Sequence, residues 1–191
     1  MRTLWLGLVC VAVMLVGSAV RAEDEPRQAR IDIDGTENGI DVQEVSQSEG
    51  GSTNNAEWLN DKKDQRRVYG FEASNTEWKK AEFTFKTNKD GTVRMCVMGP
   101  WFDQGGGKIK TIWMLYDDIS VDGATLKNGD FEGGMDGWST YGEDNPAKVV
   151  TEPVHGGKNA VKVWHNSPVQ QDITVKANQP VKVTFWFKAV E

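Results

Sequence analysis

The feature that most constrains this chain is alternation. From residue 27 onward, run after run alternates apolar and polar residues, and glycine, asparagine, aspartate or proline punctuates the runs. Period two puts successive side chains on opposite faces of a strand, whereas the 3.6-residue period of a helix is almost absent. The pattern predicts strands over 78–85, 92–98, 109–121, 149–150, 160–164, 169–175 and 181–189. Asn88-Lys89-Asp90-Gly91 reads as a turn and 99–107 as a loop. Ile31-Asp32-Ile33 and Ile40-Asp41-Val42 flank Asn38-Gly39, a hairpin signal. Residues 46–67 are polar and read as a long loop or a short helix, with Lys62, Lys63, Arg66 and Arg67 as a solvated face. About nine to eleven short strands in one chain predict an all-β sandwich.

The N-terminus reads differently. Arg2 precedes an apolar run over 4–16, and Val20 and Ala22 fit the small-residue cleavage pattern. This predicts a signal peptide over 1–22, a run too short to span a bilayer. The mature chain, 23–191, is then secreted, periplasmic or on the cell surface, with no membrane span after cleavage. Cys10 leaves with the leader, so Cys96 has no partner within the chain. Its neighbours Val93, Met95, Val97 and Met98 make it a buried structural thiol.

Composition removes several classes. Charged residues at 26% and hydrophobic residues at 38% exclude a disordered chain and a multi-span membrane protein. A net charge of −6 gives a polyanion nothing to bind over the whole surface, so no nucleic acid partner is expected.

Several short motifs share one likeness. The segment from Asn128 through Phe131 and Glu132 to Gly137-Trp138, the turn His155-Gly156-Gly157-Lys158 leading into 160–163, the strands 169–173 and 183–189, and upstream 77–85 and 115–121 are the residues concerned. Together they resemble the bacterial carbohydrate-binding modules of families four, nine and twenty-two, which are galactose-binding-like jelly rolls. The order is reversed: there the Phe-Glu segment opens the module and the Asp-Asp strand closes it. Half a jelly roll would leave an apolar face open and edges unpaired. One circularly permuted domain, with halves 27–122 and 128–191, is therefore favoured over two truncated modules. The strand at 115–121 is expected beside a strand at 130–132.

The resemblance implies a structural calcium held by the side chains of Asp117 and Glu132 and the carbonyls of His155 and Lys158. Alternation independently puts Asp117 on the side of Ile119 and Val121, an inward acid that needs neutralising. The alternative is a carboxylate satisfied by backbone N–H groups. The resemblance also implies polysaccharide or glycan as the ligand. Indole rings stack on the C–H faces of sugars, and alternation sets Trp164 and Trp186 outward, beside Lys162 and Lys188, if the neighbouring valines and phenylalanines are core. Trp101, in a glycine-rich loop, would cap such a groove; the alternative is that 46–76 covers the outward tryptophans. Trp138 and Trp78 are assigned to packing.

Catalytic patterns are thin. His155 and His165 are the only histidines, and no nucleophile elbow, zinc-type histidine pair or phosphate loop appears. Paired carboxylates of the glycosidase kind stay open. Three readings result: a secreted non-catalytic carbohydrate-binding module, acting beside separate glycan-degrading enzymes; a structural or adhesion sandwich; and a small glycan-active enzyme.

Overall fold

A computed structural model describes residues 27–142 and 145–190. The signal peptide expected over 1–22 lies outside the described residues. Twelve strands form: β1 Gln28–Asp34, β2 Val42–Gln47, β3 Gly51–Asn55, β4 Arg66–Glu72, β5 Lys79–Thr87, β6 Gly91–Met98, β7 Trp113–Asp122, β8 Ser139–Thr140, β9 Lys148–Val150, β10 Ala160–Val163, β11 Val169–Val175 and β12 Val181–Val190. They make two six-stranded sheets. The first runs β3-β4-β1-β6-β11-β8 and the second β2-β5-β12-β7-β10-β9. Neighbouring strands in both are antiparallel, the architecture of a β-sandwich.

Each sheet draws strands from both 27–122 and 128–191. β12 lies between β5 and β7, and β11 pairs with β6. Alternation explains the interior they share. Ile31 and Ile33 of β1, Val93, Met95 and Val97 of β6, and Val183, Phe185 and Phe187 of β12 all enter one hydrophobic cluster. Tyr69 stacks on Phe83 at 3.9 Å, and Phe71 meets Phe185 edge-on at 5.5 Å, so rings from both sheets interlock. Phe131 and Trp138 pack at 5.3 Å in the same cluster, as assigned for Trp138.

Several local expectations are corrected. Gly39 takes the left-handed conformation, φ 58°, that an Asn-Gly turn provides. Yet no hairpin forms there, because β1 joins the first sheet and β2 the second. A turn signal specifies the reversal and not the partner. Residues 46–67 supply β3 and a 3₁₀ segment, Glu57–Gln65. The long strand expected over 109–121 starts at Trp113. Residues 130–132 are a run of turns and not a strand. The residue just before them reaches β7: the Ile119 N–H donates to the Gly129 carbonyl at 2.9 Å.

Asp117 faces the other way from its expectation. Thr184 opposes Ser120 but Trp186 opposes Asp117, so β7 carries an extra residue. Asp118 sits at φ 48° within this bulge. The bulge turns Ile119 into the core alongside Met114 and Tyr116, and leaves Asp117 on the outer face with Leu115.

Candidate ligand groove

β1 sends Ala29, Ile31 and Ile33 inward, so Arg30, Asp32 and Asp34 line the outer face of the first sheet. Asp32 is nonetheless fully buried. Arg30 covers it with a fork, Nε on Oδ1 at 2.8 Å and Nη2 on Oδ2 at 2.7 Å. Arg66, the first residue of β4, adds Nε on Oδ2 at 3.0 Å. Arg66 was expected on a solvated face; the carboxylate draws it inward. Two guanidiniums on one buried acid form a rigid, donor-rich floor.

Two tryptophans rise from this floor. Trp58, in the 3₁₀ segment, is 58% exposed, and its ring lies 5.9 Å from the Arg66 guanidinium carbon. Trp101 is 55% exposed and meets His165 edge-on at 4.7 Å. Trp101 belongs to a hairpin loop closed by the Gln104 N–H on the Lys108 carbonyl at 2.8 Å. Gly105, Gly106 and Gly107 all have positive φ there, as the tight reversal requires. The cavity between Arg30, Trp58, Arg66, Trp101 and His165 measures about 530 Å³. That volume suits a ligand of a few rings.

The groups around it are fixed in charge. Burial, then the Arg30 charge, pushes His165 down to about 4, so it is a neutral imidazole at pH 7. Its Nδ1 is buried without a hydrogen-bond partner. Cys96, opposite Asp32 on β6, is buried, and burial and then Asp32 push its thiol up to about 12. It is the structural thiol expected. The groove thus offers flat indole faces for C–H surfaces and guanidinium donors for hydroxyls.

Of the five residues predicted to bind ligand, Trp101 lines this groove. Of the other four, three belong to the opposite sheet and Trp164 directly follows its strand β10. Trp186 and Lys188 lie on the outer face of β12 and Lys162 on that of β10, each flanked by core residues. Trp186 is half-buried, stacked on His155 at 3.8 Å with a 15° interplanar angle, and Trp78 meets that histidine edge-on at 5.9 Å. Trp164 is corrected from an exposed platform to a buried ring, 5% exposed. Its indole N–H is taken up by the loop before β9, not by the 46–76 stretch: Trp164 Nε1 donates to the Asn145 carbonyl at 2.9 Å. Sequence reasoning missed Trp58, Arg30, Asp32 and Arg66. Asp32 carried a usable signal, as the outward acid between Ile31 and Ile33 with arginines nearby. Trp58 sits in a polar stretch with no period and carried none.

The implied calcium ligands also meet in space. Asp117 Oδ2 accepts the N–H groups of His155 and Gly156 at 2.9 and 3.1 Å, and Oδ1 accepts that of Asp118 at 2.8 Å. Burial pushes the Asp117 carboxyl up, against these three N–H groups. Glu132 Oε1 accepts the N–H groups of Lys158 and Asn159 at 2.7 and 2.9 Å. Asp118 Oδ2 lies 2.7 Å from His155 Nδ1. Three carboxylates therefore converge on the turn at 155–159. A Cβ on Gly156 would stand 2.8 Å from Asp118 Oδ2, and one on Gly157 would collide with Glu132. The turn is a cradle that only glycine leaves open. The Asp117 and Glu132 oxygens that face it accept backbone N–H groups, as the alternative reading has it, and among the described residues no three acidic, histidine or cysteine side chains group to hold a metal.

Comparison with known proteins bears on the second half of the chain. Residues 123–191 match the family model of a carbohydrate-binding domain. This supports carbohydrate binding. The match takes in β8 to β12, so it contributes strands to both sheets. Of the groove residues it includes His165 alone. No curated protein and no solved structure matches the chain. No helix among the described residues is long and apolar enough to cross a membrane.

Proposed function

We propose that this is a secreted, non-catalytic carbohydrate-binding protein that holds a polysaccharide or glycan chain in the groove between Trp58 and Trp101. The observation that carries the reading is the pair of exposed indoles over a buried Arg30–Asp32–Arg66 floor. Exposed tryptophans are costly unless they meet a partner, and their large flat faces match the axial C–H surface of a sugar ring. Guanidinium N–H groups left free by Asp32 donate to ring hydroxyls. The match over 123–191 supports the same class of ligand.

A binding role fits the floor better than an enzymatic one. The residues lining the cavity include no carboxylate, and Asp32 beneath the two arginines is fully buried and bonded to both. Trp58, Trp101 and Tyr141 are three of the four large apolar side chains exposed among the described residues. Tyr141 Oη lies 3.8 Å from Cys96 Sγ, near the same floor. Trp58 and Trp101 line the cavity, so these two do not form a flat adhesive patch.

The rest of the reading goes with this. The module is a single permuted domain, since each half alone would leave both sheets incomplete. It is exported by cleavage after Ala22, and separate glycan-degrading enzymes act on the same polymer. Asp117 and Glu132, with the carbonyls of His155 and Lys158, hold a calcium ion that braces the 155–159 turn and takes no part in sugar contacts. The test is affinity electrophoresis in gels cast with neutral plant and algal polysaccharides. Wild-type protein is retarded, Trp58→Ala and Trp101→Ala lose at least ten-fold in affinity, and Trp186→Ala keeps it. Retardation unchanged in both groove variants overturns the assignment.

A further inference from the structure

The outer face of the second sheet carries a feature the groove does not use. Lys148 on β9 is directly opposite Lys162 on β10, Lys162 is opposite Leu115 on β7, and Leu115 is opposite Lys188 on β12. Registered partners in a sheet share a face, so these four residues form one row across four adjacent strands. With strands about 4.8 Å apart, three lysines stand within roughly 15 Å along that row. Leu115 is 1% exposed, an outward apolar residue buried at the row's centre.

Among the described residues the row has no carboxylate partner, whereas other lysines do. Lys63, Lys176 and Lys182 pair with carboxylates at 3.6, 3.1 and 2.9 Å. Among the described residues no carboxylate pairs with Lys148, Lys162 or Lys188. The Lys162 ammonium sits instead over the Trp113 ring at 4.9 Å, and Lys188 donates to the Thr76 carbonyl at 3.2 Å. Burial, and then the Lys148 charge, pushes Lys162 below the usual lysine range. Like charges directly opposite in a sheet are destabilising. A chain with net charge −6 has acids to spare for such a pair. Trp186 lies two residues from Lys188 along the same face and Trp113 two residues from Leu115, so half-buried rings border the row on both sides.

We propose that this row is a second ligand site, for an anionic polysaccharide that bears a carboxylate on each sugar. Carboxylates repeated along a chain meet ammoniums repeated across strands, and the bordering rings give the sugar faces an apolar edge. The site depends on the carbohydrate reading only for the class of its ligand, and it lies on the opposite sheet from the groove.

The experiment compares gels containing polygalacturonate with gels containing the same polymer fully methyl-esterified. Wild-type protein is retarded by the charged polymer, more than the esterified one, and the difference fades as salt shortens the Debye length. Lys148→Glu loses at least ten-fold in affinity for the charged polymer. It melts at or above the wild-type temperature, because the cross-strand pair now joins opposite charges; that readout separates a lost site from a lost fold. The double variant Trp58→Ala with Trp101→Ala keeps its polygalacturonate retardation while losing neutral polysaccharide, so the two sites fail independently. Three results overturn the proposal: Lys148→Glu retarded as strongly as wild type, the groove variant losing polygalacturonate, or polyglutamate gels retarding the protein as well as polygalacturonate does.

Discussion

The hydroxyl of Tyr116 on β7 accepts the backbone N–H of Arg30 on β1, reaching from one sheet into the other. It donates to the carbonyl of Met98, the residue paired with Arg30 across the β1–β6 ladder, at 2.7 Å. The side chain is fully buried, and burial raises its pKa far enough to keep it a neutral phenol at any working pH. The arginine that floors the groove is therefore anchored from beneath by the opposite sheet.

That link gives the first prediction. Tyr116→Phe removes the oxygen and leaves the Arg30 N–H and the Met98 carbonyl without this partner in a dry interior. An unsatisfied buried group costs about 1–3 kcal/mol. Urea unfolding is expected to show a loss of ~2 kcal/mol with an unchanged slope, and polysaccharide affinity falls as Arg30 loses its support. Unaltered stability would mean that the hydroxyl contributes nothing to the sheet contact.

Asp32 supports the groove from the other side of Arg30. Asp32→Ala takes the carboxylate from two guanidiniums that are only 14% and 21% exposed, and leaves Arg66 with Asp34 alone at 3.5 Å. Removing one partner of a buried pair costs about 3–5 kcal/mol; partial exposure of both arginines places this case at about 3 kcal/mol. Asp32→Asn keeps the shape and acceptor but not the charge, and is expected to lose less. Equal stability of wild type and Asp32→Ala in urea would remove Asp32 from any organising role.

How legible this arrangement was depends on the period. Strands such as 169–175 and 181–189 follow from alternation that the two sheets then exploit directly. The sheet each strand joins does not follow: Asn38-Gly39 turns the chain between sheets where the local pattern suggests a hairpin. Asp117 changed faces because a single residue, Asp118, bulges at positive φ without a glycine to announce it. Trp164 shows the limit of facing as a guide, since an outward residue is buried once a loop carbonyl such as that of Asn145 reaches its indole N–H. Trp58 was invisible because its position over Arg66 depends on a 3₁₀ segment with no buried residue of its own.

His165 predicts a pH dependence. Its folded pKa, about 4, lies below the ordinary value of 6.5, through burial and then Arg30, with Arg66 acting in the same direction and Asp32 against. A depressed histidine binds fewer protons folded than unfolded, so its contribution to stability is full above about pH 6.5 and is lost as pH falls toward about 4. Melting temperatures of wild type and His165→Asn, subtracted at each pH, are expected to diverge across that window and to run parallel above it. Sugar affinity at the groove stays level from pH 8 to pH 6, because the imidazole is neutral throughout. A difference curve flat between pH 7 and pH 4 would rule out the depressed value.

The proposed calcium brace gives the last prediction. Asp117 and Glu132 are far apart in the chain, yet both close on the turn at 155–159, through His155 and Gly156 in one case and Lys158 and Asn159 in the other. With Asp118, whose Oδ2 lies 2.7 Å from His155 Nδ1, three carboxylates face one turn. N–H groups supply partial positive charge, but they leave the mutual repulsion of the acids uncompensated at high pH. A calcium ion bound to the folded state alone removes that repulsion and adds stability that grows with the logarithm of its free concentration. The melting temperature is expected to rise with calcium and to fall on chelation, and Asp117→Asn and Glu132→Gln each blunt the response. Because Asp117 lies on β7 of the second sheet, chelation lowers stability while leaving polysaccharide affinity at the Trp58–Trp101 groove within two-fold of its starting value. A melting curve indifferent to chelator, after metal analysis has confirmed removal, would leave the carboxylates to the backbone N–H groups and exclude the ion.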